Sequence, residues 1–197
     1  MAVENSCVWG NFDRIKNSFR PPFGFMEFKS RISTLKEVIE TLKNDEINII
    51  GICGISGVGR TTMVKQVAAK AQNENLFNEI VMVVLGSLST SLSNVQCQIA
   101  DQLRLKLEGE TLIQRAACLR RRLANGKRIL LALDEVSEEL VFDQGFDLDA
   151  IGIPIRGENR GCKVVLTSEE DVICSQNGSP KENPSKTLDK RRSMASF

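Results

Sequence analysis

Between Gly51 and Thr62 the chain reads Gly-Ile-Cys-Gly-Ile-Ser-Gly-Val-Gly-Arg-Thr-Thr. From Gly54 onward this has the spacing of a phosphate-binding loop, G-x-x-x-x-G-K-[ST], with Arg60 at the lysine position. Gly54, Gly57 and Gly59 permit backbone angles that L-residues resist, so successive N–H groups can turn inward around an anion. A helix starting near Gly59 adds its unpaired N–H groups and the positive end of its dipole. The cation at Arg60 is expected to reach the β- and γ-phosphates, and Thr61 offers a hydroxyl to Mg²⁺. Gly54, Ile55, Ser56, Gly57, Val58, Gly59, Arg60, Thr61 and Thr62 are therefore the candidate nucleotide-binding residues. The plainer alternative is a glycine-rich turn between a strand and a helix.

A second stretch can do chemistry. Ile129-Leu130-Leu131-Ala132-Leu133 is an apolar run that ends in Asp134 and Glu135. An acid at the end of a buried strand downstream of a phosphate loop is the place for the aspartate that holds Mg²⁺. Asp134 takes that role, with Thr61 as the other candidate metal ligand. Glu135 is placed either to orient a water toward a terminal phosphate or as a solvated loop acid.

The elements around these residues alternate. Ser30 to Asn44 has a helical stripe of Leu35, Val38, Ile39 and Leu42, with Ser33 as a candidate cap. Ile47 to Cys53 is a strand leading into the loop, and Arg60 to about Ala71 is the helix leading out. Ile80 to Leu85 is a continuous apolar run, the pattern of a strand covered on both faces. Asn94 to Arg104 and Leu112 to Leu123 repeat at helical spacing, and Asn125-Gly126 closes the second. Arg120, Arg121 and Arg122 read as a solvated face near a helix C-terminus. Glu138 to Asn159 reads as acidic loop, Lys163 to Ser168 as a strand, and Glu169 to Val172 as the opening of a short helix. Alternating buried strands and helices predict an α/β fold, a three-layer parallel sheet with helices on both faces and the ligand at the carboxyl ends of the strands. Residues 1–29 are expected to be an N-terminal arm, 30–176 the folded domain, and 177–197 a disordered tail.

Composition narrows the function. The chain of 197 residues is 42% hydrophobic and 26% charged, with a formal net charge of +1. That balance creates no global field toward nucleic acid or a membrane surface. No histidine is present, which removes histidine catalysis and histidine metal sites. Six cysteines lie far apart without a C-x-x-C pair, so a disulfide scaffold or zinc site is not expected. No apolar run approaches the ~20 residues of a transmembrane helix. A cytoplasmic location is the expectation.

Several motifs together give the chain a family likeness. Gly54 to Thr62 is similar to G-x-G-G-x-G-K-T-T. Phe77-Asn78-Glu79-Ile80-Val81 is similar to the block that opens the second strand. Lys127 to Val136 is similar to the kinase-2 block, and Gly161 to Ser168 to G-x-K-x-x-x-T-[ST]-R. From about Phe28 to Cys174 the chain resembles the NB-ARC domain of plant NBS-LRR disease-resistance proteins of the coiled-coil subgroup. The resemblance implies a P-loop NTPase-type sheet with strand order 2-3-4-1-5, and a switch that holds ADP at rest and ATP when active, with Mg²⁺. It also implies that Arg31, in the segment Phe28–Arg31, lies near adenine and ribose, and that Thr167 belongs to the nucleotide site.

Departures accompany the likeness. Arg60 stands for lysine, Ser56 for a glycine, and Ser137 for the tryptophan after kinase-2. Glu169 stands where the family has an arginine that senses the γ-phosphate, a charge reversal that should disfavour ATP more than ADP. The fifth strand and the downstream subdomains are not in this sequence, which would leave Ile47–Cys53 as an open sheet edge. Three functions follow as expectations. The first is an ADP- or ATP-binding module of a disease-resistance protein, truncated and weak in binding and turnover. The second is a non-enzymatic interaction fragment or degenerate product that pairs with full-length NBS-LRR relatives. The third is a true ATPase or small-molecule kinase working through Asp134 and Glu135.

Overall fold

The computed structural model describes residues 29–86, 91–137, 147–154 and 161–169. In chain order these form α1 (Lys29–Lys43), β1 (Ile49–Cys53), α2 (Arg60–Asn73), β2 (Glu79–Val84), α3 (Leu92–Gln102), α4 (Leu112–Leu123), β3 (Ile129–Val136), α5 (Leu148–Ile151) and β4 (Cys162–Ser168). The four strands make one parallel sheet in the order β1-β4-β3-β2. That is the order 2-3-4-1 expected from the family likeness, read from the other side.

Side-chain alternation along the strands divides the core in two. Leu131, Leu133, Val164 and Leu166 face one cluster, which Val95, Ile99, Leu119 and Leu123 of α3 and α4 complete. Leu130, Ala132 and Val165 face the other, which Val38, Ile39 and Leu42 of α1 and Val64, Val67 and Ala71 of α2 complete. The architecture is thus α/β/α, and every residue of β4 is buried. Polar side chains finish what apolar packing leaves open. Lys163, 1% exposed, donates from Nζ to the carbonyls of Asn44 and of Ile47 (3.0 Å), tying the α1–β1 connection to β4.

The two sheet edges differ. Gln102 of α3 donates to the Met82 carbonyl (2.7 Å) and accepts from the Met82 N–H (2.9 Å). Its amide thereby replaces the peptide group that a further strand would present to β2. Among the described residues β1 pairs only with β4.

Some elements depart from the sequence reading. Ser33 lies inside α1, whose helical hydrogen bonding begins at Lys29, so it cannot be the cap. Glu138–Asn159 is not loop throughout. Leu148–Ile151 forms a turn of helix capped by Asp147, with Leu148 and Ile151 buried against the core. Leu112 is 42% exposed despite its helical alignment, because it is the first helical residue, inside the Thr111–Gln114 capping box. The arginine run is not simply solvated. Arg122 pairs with Glu79 at 2.5 Å, where Lys127 also reaches it, and Arg120 pairs with Asp149. The expected arm, the tail and the helix opening after Glu169 fall outside the described residues.

Candidate nucleotide site

The loop between β1 and α2 takes its shape from two glycines. Gly57 and Gly59 have φ of 84° and 90°, in the left-handed region that suits glycine. Gly59 caps α2 from that conformation, and among the described residues there is no side-chain cap at the start of the helix. Those amides are the unpaired donors that an anion can occupy. A Cβ at Gly59 would run into the guanidinium of Arg31. Arg31 reaches across from α1 and donates to the Val58 carbonyl at 3.0 Å. The structure therefore sets Arg31 against the loop at Val58 and Gly59. Ile55, Ser56 and Gly57 are exposed, whereas Val58, Gly59, Arg60, Thr61 and Thr62 are half-buried.

The carboxyl ends of β3 and β4 stand beside the loop, since β4 pairs with β1 up to Cys53 and Ser168. The β3–β4 register slips between Leu133 and Val136, setting Asp134 and Glu135 against Thr167. This bulge puts Glu135 at φ 64°, a strained angle for a non-glycine residue. Its N–H turns to the Thr167 hydroxyl oxygen (2.9 Å), and that hydroxyl donates to Asp134 Oδ1 (2.6 Å). Asp134 and Thr167 are both fully buried. Asp134 Oδ2 is buried with no hydrogen-bond partner. A buried acceptor left over in this way costs roughly 1–3 kcal/mol. It suits a carboxylate that receives a cation or a cation-bound water when ligand is present. Among the described residues no three acidic or cysteine side chains gather as a metal cage. The donors thus fit Mg²⁺, which keeps most of its waters and takes one or two protein ligands plus phosphate; Thr61 and Asp134 would supply the protein ligands.

Arg60 does not point its charge into open space. It donates to the Gly54 carbonyl and to Glu169 Oε1 at 2.9 Å. Its side chain is 11% exposed and that of Glu169 is 52% exposed. The Arg60 hydrogen bond holds the Glu169 carboxyl below its ordinary range against an opposing push from desolvation, and a bond from Ser56 adds to it. Three of the four motif departures therefore touch one another. Residue by residue, sequence reasoning sees only three separate changes; a gained arginine and a gained glutamate, 109 residues apart, were the signal for the pair.

Glu135 itself is exposed. Its side chain is turned over Gly86, so closely that a Cβ at Gly86 would meet the carboxylate. Cys53, at the end of β1, is disulfide-bonded, although the cysteine spacing led to no expectation of a disulfide scaffold. Spacing along a chain does not reveal which sulfurs meet. Cys162 is a free, buried thiol: burial pushes it up to about 12, leaving it protonated and inert.

Residues 31–193 match the NB-ARC domain. The chain belongs to the NB-ARC family. Relatives agree with this assignment. A probable disease resistance protein of Arabidopsis thaliana is 33% identical over 192 residues, 91% of this chain and 19% of its own length. A second probable disease resistance protein of Arabidopsis thaliana is 32% identical over 79% of this chain and 20% of its own. The disease resistance protein UNI from the same plant is 31% identical over 87% of this chain and 19% of its own. The NB-ARC chain thus spans about one fifth of the curated relatives it matches. Among solved structures, Cdc6p from Pyrobaculum aerophilum superimposes with a TM-score of 0.57 at 15% identity, over 91% of this chain and 46% of that one. A Drosophila ORC structure bound to DNA gives 0.57 and 15%, over 89% and 47%. At that identity the likeness carries the fold alone. Among the described residues no helix is long and apolar enough to cross a membrane.

Proposed function

We propose that this NB-ARC chain is the nucleotide-binding module of a plant disease-resistance protein, taking Mg²⁺-ADP or Mg²⁺-ATP with weak phosphate contact and little turnover. The observation that carries the reading is the uncapped start of α2 behind Gly59, beside Asp134 with its unpartnered buried Oδ2. In this reading the loop amides hold the phosphates, and Thr61 and Asp134 hold Mg²⁺, which would neutralise charge on the phosphate oxygens. Thr167 keeps Asp134 oriented. Arg31 buttresses the loop at Val58 and Gly59. Turnover is low because Glu135, the candidate for orienting a water, is held over Gly86. Binding is weak because Arg60 is engaged by Glu169. One lost charge-assisted contact, worth ~1.5–3 kcal/mol, weakens binding by roughly one to two decades.

The test is calorimetric titration of the chain with Mg²⁺-ADP and Mg²⁺-ATP, beside Asp134→Ala and Arg60→Lys. Binding by the native chain that falls in Asp134→Ala supports the reading. Absence of binding by the native chain and by Arg60→Lys sinks it. Phosphate release from ATP no greater than in Asp134→Ala is the expected hydrolysis result.

Among the described residues β1 pairs on one side only, which favours a second reading, in which a strand of a longer relative is added there. A proline at Gly51 would then abolish co-elution with such a relative while leaving nucleotide titration intact.

A further inference from the structure

The register that pairs Cys53 with Ser168 makes Gly54 and Glu169 neighbours at the mouth of the phosphate loop. Arg60 bridges them, binding the Gly54 carbonyl with one nitrogen and Glu169 with the other. Ser56, on the loop's exposed side, adds a smaller push that lowers the Glu169 carboxyl. Glu169 thus faces both Arg60 and Ser56. The cation is sealed and the carboxylate is wet, with side-chain exposures of 11% and 52%. A cation at this position of a phosphate loop serves the β- and γ-phosphate oxygens. Here its partner is an anion of the protein itself.

We propose that Glu169 is a specificity-determining residue, an internal anion at the terminal-phosphate end of the loop that makes the site select nucleoside diphosphate over triphosphate. The proposal rests on the nucleotide reading above and adds which nucleotide the site accepts. Among the described residues no side-chain cap covers the start of α2, which leaves its amides to serve one phosphate group in this proposal. A further phosphate must either displace the carboxylate from Arg60 or lie beside a like charge. Both penalties fall on the triphosphate more than on the diphosphate. Ser56 strengthens the selection by bracing the carboxylate, which a glycine cannot do.

The test titrates the full chain, native and as Glu169→Gln, Glu169→Ala and Ser56→Gly, with Mg²⁺-ADP and with Mg²⁺-ATP. Glu169 is exposed, so its variants keep the fold, which circular dichroism checks. The native chain is expected to prefer ADP. In Glu169→Gln the ADP-to-ATP affinity ratio should fall roughly three- to tenfold, mainly through tighter ATP. Ser56→Gly should move the ratio the same way by less. An unchanged ratio, or equal gains for both nucleotides, overturns the proposal and makes Arg60–Glu169 a surface ion pair only. ADP binding by the native chain keeps the nucleotide reading standing in that case. No ADP binding by the native chain or by Glu169→Gln overturns both.

Discussion

Replacing Thr167 by valine removes one hydroxyl and keeps the shape of the side chain. In the native protein that hydroxyl sits between two partners in a fully buried place. It accepts from the Glu135 N–H at 2.9 Å and donates to Asp134 Oδ1 at 2.6 Å. Asp134 Oδ2 already lacks a partner, so valine would leave the whole carboxylate without protein hydrogen bonds to its side chain. The bond to the carboxylate is worth ~1.5–3 kcal/mol and the bond from the amide ~0.5–1.5 kcal/mol. Their sum puts the expected loss at about 2–4.5 kcal/mol. Urea unfolding reads it directly. With a slope of about 2 kcal/mol per molar, the midpoint should fall by roughly 1–2 M at unchanged slope. Thr167→Ser, which keeps the hydroxyl and loses one methyl, should cost only about 1 kcal/mol. A double-mutant cycle of Thr167→Val with Asp134→Asn should show coupling of at least ~1 kcal/mol. A midpoint shift below about 0.3 M for Thr167→Val, or no coupling, would refute the bulge-and-hydroxyl account of how Asp134 is held.

Three other outcomes follow from the packing. Lys163 is buried, and desolvation lowers its pKa from 10.5, with Asp45 opposing and Arg128 reinforcing the shift. The unfolded chain then binds the extra proton between the lowered value and 10.5, so native stability should rise with pH across that window relative to Lys163→Met. A flat difference between the two proteins would refute it. At Glu79 burial pushes the carboxyl up, but hydrogen bonds from Lys127 and Arg122 outweigh it and the net value is lowered from 4.5. Its contribution is therefore present above 4.5 and is lost as pH falls through the lowered value, so Glu79→Gln should flatten acid unfolding in that range. Gln102→Glu keeps only the acceptor half of the pairing with Met82 and sets a carboxylate against the Met82 carbonyl. It should cost about 1–2 kcal/mol and promote concentration-dependent association through the uncapped edge of β2, visible by light scattering; a monomeric variant of native stability would contradict the edge-capping role.

Local pattern alone determined much of this protein. The Gly54–Thr62 spacing, the apolar run ending in Asp134 and the helical stripes of Leu35–Leu42 and Val64–Ala71 are short-range features. Each depends on residues a few positions apart, whose geometry the backbone dictates. The α/β class and the candidate residues at the phosphate loop were legible for that reason, and so was the strand order, through a family likeness carried by several such blocks together. Tertiary structure decided what those residues touch. Whether Thr167 faces a ligand or Asp134 depends on a bulge that sets two residues of β3 against one of β4. The direction of the Glu135 side chain depends on the room left at Gly86, and the fate of the β2 edge depends on where the last turn of α3 ends. Arg60 and Glu169 meet only because β4 lies beside β1 with Cys53 opposite Ser168. Side-chain pairing across 109 residues is set by sheet register, and register is fixed by burying both faces of the sheet at once, which no single stretch of the chain encodes.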